Sequence, residues 1–422
     1  MSNSAKVSLA PKLRFPEFRD AGGWEVKALS SFSKVGDIDH KMPSSVIDGI
    51  PYIMTGNFFG INGIDFDNAK KVSVEDYEQL VKKIKPEFGD IVIARYASVG
   101  AVRYIETKSK FLVSYSCAVV KCNKSEASKY LYYILQSDVI QSKIGLVINA
   151  SSQKNIGIDS IKKLNIFIPT LREQQKIADC LSSLDELIAA QARKVDALKT
   201  HKKGLMQQLF PRDGETQPRL RFTEFQNAGA WEETRLGKMG VLVSGLTYSP
   251  DDVRESGLLV LRSSNVQQGK IALDDCVYVD PSIKGANLSQ PNDILICVRN
   301  GSKALIGKCA LIPEGMPLCT HGAFMTVFRA KLPDFIFQLF QSDRYQKQVA
   351  GDLGATINSI NGSQLLKYEF SIPKPAEQQR IADCLTSLDT LITAATQELE
   401  TRKTHKKGLM QQLFPSAEAV EA

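Results

Sequence analysis

Apolar positions spaced alternately four and three residues apart run through two long stretches of the chain, at 170–211 and 374–415. The first stripe consists of Ile177, Leu181, Leu184, Ile188, Val195, Leu198, Leu205 and Leu209. The second consists of Ile381, Leu385, Leu388, Ile392, Ala395, Leu399, Leu409 and Leu413. Such a narrow stripe, kept over several heptads, is typical of the seam of a coiled coil. The pattern predicts two helices of about 38 residues, each about 57 Å long at roughly 1.5 Å per residue.

Both stretches carry helix start and stop signals. Thr170 and Glu173 have the spacing of a capping box, in which a hydroxyl and a carboxylate satisfy free backbone N–H groups. Pro375 is a first-turn proline for the second helix. Pro211 and Pro415 stop the two helices.

Polar residues interrupt each stripe, namely Gln191 and Lys202 in the first and Arg402 and Lys406 in the second. Two helices of this length in one chain most simply pair with each other. The alternative is two independent helices, each lying on its own domain.

The two stretches are copies of each other. EQQKIADCL at Glu173 is matched by EQQRIADCL at Glu377, and THKKGLMQQLFP at Thr200 is matched by the same letters at Thr404. A second repeat, which we call the entrance segment, begins LRF at Leu13 and again at Leu220 and contains Trp24 or Trp231. We predict that both tryptophans are packing anchors. A long repeat in two copies indicates a duplicated half-molecule rather than a solenoid.

These repeats divide the chain. The predicted segments are an N-terminal entrance segment 1–24, a first globular domain 25–169, a central helix 170–211, a linker with the second entrance segment 212–231, a second globular domain 232–373, a C-terminal helix 374–415 and a tail 416–422. Each globular domain contains strand-like apolar runs bounded by turn signals, followed by shorter helices near 129–142 and 335–348. The predicted fold class is therefore α+β, with two diverged domains on a duplicated helical frame.

Composition adds a modest indication of the partner. The net charge of +7 and pI near 8.8 are a mild sign of a polyanionic partner. There is no run of eighteen apolar residues and no apolar signal region at the N-terminus, so we expect a cytoplasmic protein without a membrane span. The eight cysteines include no CxxC pair and there are only four histidines, so we expect reduced thiols and no metal site.

Motifs for catalysis are weak. The segment 301–308 resembles a phosphate-binding loop, but it has one residue too many between its glycines, and Cys309 stands where Ser or Thr would bind magnesium. We predict a strand-turn-strand there. Asp90, Glu106 and Lys108 match a loose nuclease pattern that arises often by chance. We therefore expect no catalytic residues in this chain.

Polar residues at the predicted strand exits are candidates for contacts with DNA, because Arg, Lys, Asn, Gln, Ser, Thr and Tyr supply donors and acceptors for phosphates and base edges. In the first domain they are Thr55, Asn57, Arg95, Tyr96, Ser98, Ser152, Gln153, Lys154 and Asn155. In the second they are Arg262, Ser263, Ser264, Asn265, Arg299, Asn300, Ser302, Lys303, Thr356 and Asn358. We take the group beginning at Arg299 as the counterpart of the group beginning at Arg95. Any one of these residues is common in loops without a ligand, but their occurrence in two equivalent domains favours DNA binding.

The repeated helix motifs and the entrance segments resemble those of the specificity subunit (HsdS) of type I restriction-modification systems. The resemblance covers almost the whole chain. It implies two target-recognition domains separated by two long antiparallel helices, in a pseudo-twofold arrangement. It also implies that each domain recognises one half of a bipartite DNA target and that the helices set the gap.

The same resemblance implies two partner proteins besides double-stranded DNA. Two modification subunits (HsdM) would dock on the helices and methylate adenine with S-adenosylmethionine. Restriction subunits (HsdR), which use ATP and magnesium, would join them to cut DNA. The chain itself would hold no cofactor. Two alternatives remain: an enzyme with its own methylase or nuclease centre, and a coiled-coil scaffold that binds only proteins.

Overall fold

The computed structural model describes residues 10–124, 127–149, 154–353 and 358–415. They form two compact units. Unit 1 comprises Met1–Gln191 with Glu398–Ala422, and unit 2 comprises Ala192–Gln397. Each unit contains one α+β domain and part of each of two long helices.

The domain of unit 1 contains two main sheets. Its strands are β1 (Glu25–Ala28), β2 (Ser33–Gly36), β3 (Ile50–Ile53), β4 (Phe58–Phe59), β5 (Gly63–Ile64), β6 (Lys70–Val72), β7 (Ile91–Ala94), β8 (Val102–Tyr104), β9 (Leu112–Val113), β10 (Cys117–Cys122) and β11 (Asn165–Ile168). Its helices are α1 (Leu29–Phe32), α2 (Val74–Leu80), α3 (Ser128–Gln136), α4 (Asp138–Asn149) and α5 (Ile158–Lys162). One sheet has the antiparallel order β2-β10-β7-β8, and the other has the order β6-β3-β9 with β3 and β9 parallel. Strand β1 pairs with β11.

Strand β7 is continuously apolar because it lies between two cores. Ile91 and Ile93 belong to the core that includes α3, whereas Val92 belongs to the core that includes the sheet β6-β3-β9. Both faces of the strand are therefore buried, and no polar residue alternates with the apolar ones.

The domain of unit 2 has the same general plan, with one more strand in its second sheet. Its strands are β12 (Glu232–Arg235), β13 (Gly240–Ser244), β14 (Val253–Arg254), β15 (Leu258–Leu261), β16 (Val266–Gln267), β17 (Lys270–Ile271), β18 (Val277–Val279), β19 (Ile294–Cys297), β20 (Cys309–Leu311), β21 (Cys319–His321), β22 (Met325–Ala330) and β23 (Glu369–Ile372). Its sheets have the orders β13-β22-β19-β20, β14-β18-β15-β21 and β12-β23. Strands β15 and β21 are parallel, as are their counterparts β3 and β9.

The long helices are α6 (Leu171–Leu209) and α10 (Pro375–Leu413), each of 39 residues, which confirms the two predicted helices. The helices of the second domain are α7 (Pro333–Leu339), α8 (Asp343–Asp352) and α9 (Gly362–Leu365). In unit 1, Ile177 and Leu181 of α6 share a core with Leu413 at the end of α10. In unit 2, Ile381 and Leu385 of α10 share a core with Leu209 at the end of α6. The start of one helix packs on the end of the other in each unit, so the helices pair antiparallel and do not lie independently.

The predicted seam is inward-facing. Ile177, Leu181, Ile188, Val195, Ile381, Leu385 and Leu399 are buried, and Leu184, Leu198, Leu205, Leu388, Ile392 and Leu409 are half-buried. The polar residues that interrupt the stripe are not all at the surface, because Lys202 and Lys406 are themselves buried. Gln191 is also buried, whereas Arg402 is half-buried and donates to Glu398 on its own helix.

Other local predictions met different outcomes. The apolar run 111–122 forms two strands in different sheets, because a turn with a bond from Cys117 N to Ser114 O separates β9 from β10. The helical stretches near 129–142 and 335–348 are each two helices. The segment 301–308 is a turn between β19 and β20, as predicted, with a short 3-10 helix at Lys303–Leu305. Gly307 there has φ +81°, and a Cβ at this position would lie 2.8 Å from Val349.

Within the described ranges, no helix is long and apolar enough to cross a membrane. Nor do those ranges contain a group of three or more His, Cys, Asp or Glu side chains that could hold a metal ion.

Candidate nucleic-acid interface

An arginine–glutamate pair fastens the first entrance segment to the start of α6. Arg14 donates from Nε and Nη2 to the two carboxylate oxygens of Glu173, each over 2.8 Å, and Trp24 Nε1 donates to the same carboxylate over 3.3 Å. Glu173 is 1% exposed. The hydrogen bonds with Glu173 raise the pKa of Arg14 above its ordinary value. The predicted capping box is therefore half correct: Thr170 Oγ1 accepts from Glu173 N, but the carboxylate binds the entrance segment.

The second entrance segment repeats these contacts at the start of α10. Arg221 donates to the two carboxylate oxygens of Glu377 over 2.8 and 2.7 Å, and Trp231 Nε1 donates to Glu377 over 3.4 Å. Trp24 and Trp231 are 5% and 4% exposed, which confirms them as packing anchors. Duplication of the frame therefore extends to individual hydrogen bonds.

The recognition candidates lie where the domains differ. Arg95 follows β7 and is buried in an ion pair with Asp37. Its Nε donates to Ile156 O and its Nη1 donates to Tyr115 O, both over 3.0 Å. The guanidinium is thus engaged inside the domain. In this structure the side chain of Arg95 therefore connects the segments around Asp37, Tyr115 and Ile156, and its contact with DNA stays a prediction.

Aromatic side chains surround Arg95 at the surface. The Tyr115 ring stacks on His40 with a centroid distance of 4.9 Å and meets Tyr96 edge-on at 6.5 Å. Tyr96 lies under the Arg95 guanidinium, 5.5 Å from it. We call His40, Tyr96 and Tyr115 the strand-end cluster of the first domain.

Strand register identifies the equivalent place in the second domain. Arg95 N donates to Ser116 O, and Val298 N donates to Phe324 O, each one residue beyond the paired strands. Val298 is therefore the counterpart of Arg95, and Arg299 is the counterpart of Tyr96. The predicted match of Arg299 with Arg95 is wrong by one position, because a common Arg was taken as the fixed point where only the backbone bonds supply one.

We call Arg299 and Phe324 the strand-end cluster of the second domain, and it borders a cleft of about 720 Å³. Tyr248, Arg262, Ser263 and the exposed Phe324 line this cleft. The Arg299 guanidinium lies 5.7 Å from the centroid of the Phe324 ring.

Arg262 is held at one end only. One terminal nitrogen, Nη2, lies 2.7 Å from Asp275 Oδ2, while its Nε is buried without a hydrogen-bond partner within the described residues. The neighbouring hydroxyl of Ser263 accepts from Asn300 Nδ2 over 3.0 Å.

Two of the predicted DNA contacts have structural roles in the turns that follow their strands. The Oδ1 atoms of Asn57 and Asn265 accept from the backbone N–H of Met54 and Arg262, over 2.9 and 2.8 Å, and so close equivalent turns after β3 and β15. Asn265 is fully buried, so it presents no donor to a ligand at the surface.

The remaining candidates divide by exposure. Ser98, Lys154, Ser264, Ser302 and Lys303 are exposed, and Thr55, Asn155 and Asn358 are half-buried. Ser152, Gln153 and Thr356 lie outside the described residues. Asn358 donates to Gly301 O over 3.2 Å, which ties its loop to the turn after β19.

Comparison with known proteins decides the family. The family described as the type I restriction modification DNA specificity domain matches residues 22–200 and 229–401. The chain belongs to this family.

Relatives of the chain are named as specificity subunits of type I restriction enzymes. The MjaVIII specificity subunit of Methanocaldococcus jannaschii is 26% identical over 423 residues, covering 95% of this chain and 93% of that one. The EcoKI specificity subunit of Escherichia coli K12 is 30% identical over 172 residues, covering 38% and 36%. In fold, the chain is similar to the S subunit of a type I system from M. genitalium, with a TM-score of 0.62, 17% identity, and coverage of 97% and 100%.

The prediction of DNA contacts from the sequence left out four residues near the strand ends. His40, Tyr115, Tyr248 and Phe324 were not among the candidates, because only polar residues after strands were considered. The available signal was the aromatic residue just before an apolar strand, in Ser-Tyr-Ser at 114–116 and Ala-Phe at 323–324. Aromatic faces beside cations can pack on bases and sugars, so these residues join the candidates for the site.

Proposed function

We propose that each domain of this specificity subunit recognises one half of a bipartite DNA target. The proposal rests on a contrast within the duplication. The contacts that join each entrance segment to its long helix are the same in both halves, but the side chains at the strand ends differ. Arg14–Glu173 and Arg221–Glu377 repeat bond for bond, whereas Tyr96 is replaced by Arg299 at equivalent strand ends. A common scaffold with different exposed side chains suits two different half-sites.

The second domain offers chemistry for base edges. Arg299 is exposed, and an arginine can donate two hydrogen bonds to O6 and N7 of guanine. Phe324 beside it can contact a thymine methyl group. Arg262 and Ser263 at the rim of the cleft supply donors for phosphate oxygens.

The first domain would use a different set. Tyr96, Tyr115 and His40 offer flat rings and polar ring atoms, and the exposed Lys41 follows His40 on the same loop. With Arg95 engaged internally, the half-site of this domain would be recognised through aromatic and hydroxyl contacts. The two half-sites would therefore differ in sequence.

The long helices would set the gap between the half-sites. Each has 39 residues, or about 58 Å at roughly 1.5 Å per residue. Buried apolar seams make paired helices stiff, which a spacing device requires.

The duplicated frame would dock two modification subunits, because two equivalent surfaces suit two copies of one partner. S-adenosylmethionine and adenine methylation would belong to those subunits. Restriction subunits, with ATP and magnesium, would join through them.

A domain exchange tests half-site recognition. Residues 25–169 would be replaced by the corresponding domain of another specificity subunit, and methylated adenines would be mapped across the genome of a host carrying the system. We expect one half of the methylated sequence to change and the other half to persist. The reciprocal exchange of residues 232–373 should change the other half. Alteration of both halves by one exchange contradicts independent recognition, and absence of DNA binding with modification subunits present would favour a protein-binding scaffold.

A further inference from the structure

Each unit has a groove between the C-terminal end of a long helix and the corner between two domain helices. In unit 1 the groove lies between α10 and the α3–α4 corner and encloses about 150 Å³. In unit 2 it lies between α6 and the α7–α8 corner and encloses about 370 Å³. We call them the twin grooves.

The twin grooves share six lining positions, which carry the same residue types. On the domain side both present Gln-Ser-Asp, at 136–138 and at 341–343. On the helix side Lys407, Met410 and Gln411 in unit 1 correspond to Lys203, Met206 and Gln207 in unit 2. One hydrogen bond joins the two sides of each groove. It runs from Gln411 Nε2 to Asp138 Oδ2 over 2.8 Å in unit 1 and from Gln207 Nε2 to Asp343 Oδ2 over 3.3 Å in unit 2.

Folding accounts for only part of this identity. The serine has a local role, since Ser342 Oγ accepts from Tyr345 N at the start of α8. The first lysine of each Lys-Lys pair also has one, because Lys202 and Lys406 are buried in ion pairs. The second lysine is different. Lys203 and Lys407 are exposed and form no ion pair with any described residue.

We propose that each twin groove receives an acidic segment of one modification subunit, with its carboxylates on Lys203 or Lys407. This inference rests on the proposed function, which supplies two copies of that partner. Two like grooves fit two copies of one protein, whereas the surfaces assigned to DNA differ between the domains.

The chemistry of the grooves favours a protein over DNA. The carboxylates of Asp138 and Asp343 can accept hydrogen bonds from the backbone N–H groups of a polypeptide, which a DNA backbone does not have, while the lysines pair with its acidic side chains. Met206 and Met410 are half-buried and offer adaptable apolar contact beside the lysines. A mixed lining of cation, amide, carboxylate and thioether matches an amphipathic acidic segment.

Stoichiometry tests the proposal directly. The full chain would be mixed with the modification subunit of its own system, and the complexes would be weighed by native mass spectrometry. We expect two copies on the unaltered chain, one on Lys203→Glu, one on Lys407→Glu, and none on the double variant at concentrations that saturate the unaltered chain. The glutamine variants should weaken each site without abolishing it.

A matched control separates this effect from general charge change. Lys194→Glu with Lys367→Glu reverses two exposed lysines outside the grooves and should leave two copies bound. Two copies on the double groove variant overturn the proposal while leaving the proposed function intact. Loss of DNA binding with both partners retained also overturns it, and assigns the lysines to phosphate. If the unaltered chain takes up only one copy, two-partner docking itself is contradicted, and this inference with it.

Discussion

Lys202 Nζ lies 2.7 Å from both carboxylate oxygens of Asp389, which is 187 residues further along the chain. Their repeat equivalents make the reciprocal contact, because Lys406 Nζ lies 2.5 Å from Asp185 Oδ1. In each unit, then, a lysine near the end of one long helix is neutralised by an aspartate of the other. A domain residue completes each pair: Gln338 donates to Asp389, and Tyr133 donates to Asp185, both over 2.8 Å.

We expect Asp389→Ala to destabilise unit 2 by about 1–3 kcal/mol, because it leaves a buried ammonium group with only an amide partner. Calorimetric unfolding of the full chain would measure this as a lower temperature for one transition. Asp185→Ala should act equally on unit 1. The double change Lys202→Met with Asp389→Leu should cost less than Asp389→Ala alone, since no buried charge then remains. If the loss of stability in the double variant equalled the sum of the losses from Lys202→Met and Asp389→Leu made singly, this account would be contradicted.

Periodicity predicted the helices but not this ion pair. A stripe of apolar residues depends on local spacing, so both long helices and the inward-facing seam could be derived from the sequence. Lys202 and Lys406 were interpreted as interruptions, because their partners are distant in sequence and no local pattern connects them. The Gln-Ser-Asp corners were likewise overlooked, since identity of three residues gains meaning only when the groove beside it is seen.

The two arginines at the strand ends should respond differently to substitution. Arg95→Ala should destabilise the first domain by about 3 kcal/mol, because it breaks a buried ion pair. The loss should not be larger, since Lys83 still neutralises Asp37. Arg299→Ala should leave stability unchanged, because the side chain is exposed, and should weaken target binding by about 1–3 kcal/mol if it contacts guanine. Thermal unfolding and a titration with methylation-mapped target DNA would measure the two effects.

Phe324 supplies the companion test. Phe324→Leu keeps an apolar side chain but removes the ring beside Arg299. The affinity for target DNA should therefore fall less than for Arg299→Ala. The base preference should weaken at a base pair next to the one that Arg299 contacts. Unaltered affinity and an unaltered methylation pattern in both variants would remove the strand-end cluster of the second domain from the interface.

The exact members of this cluster were beyond sequence reasoning. Strand ends could be predicted from apolar runs, and Arg299 was found in that way. The match with Arg95 failed because each strand is followed by an Arg but one position apart, and only the backbone bonds to Ser116 and Phe324 align the two strand ends.

His321 should make the second domain sensitive to acid. The side chain is fully buried between Ser289 Oγ and Val243 O, and burial lowers its pKa below the ordinary value of 6.5. As pH falls below 6.5, His321 becomes protonated in the unfolded chain before it does so in the folded chain. The free energy of unfolding therefore falls with pH until the lower pKa of the folded state is reached. The loss should reach up to about 1.4 kcal/mol per pH unit until the folded state also protonates.

The first domain provides the control substitution. Val113 of β9 occupies the place of His321, since they pair with the equivalent residues Ile53 and Leu261. His321→Val should lower stability at neutral pH, because Ser289 and Val243 lose a partner, but it should reduce the acid sensitivity of the second domain. Calorimetry between pH 7 and pH 5 would show an unchanged slope if another group were responsible.

The helix pair should set the gap in the DNA target. One heptad inserted between Gln191 and Ala192 and another between Gln397 and Glu398 would lengthen both helices where the chain divides into its two units. Seven residues preserve the 4-3 apolar stripe, so the contacts inside each unit should survive.

The expected change in the target follows from helix geometry. Seven residues add about 10.5 Å at 1.5 Å per residue, or roughly 3 base pairs at about 3.4 Å each. Three base pairs also turn one half-site by about a third of a DNA turn, so methylation should become less efficient. Methylation mapping should therefore find unchanged half-sites with a gap about 3 base pairs longer. Inserting the heptad into α6 alone disrupts the pairing and should abolish methylation. Efficient methylation at the original gap in the double insertion would show that the helices do not determine the spacing.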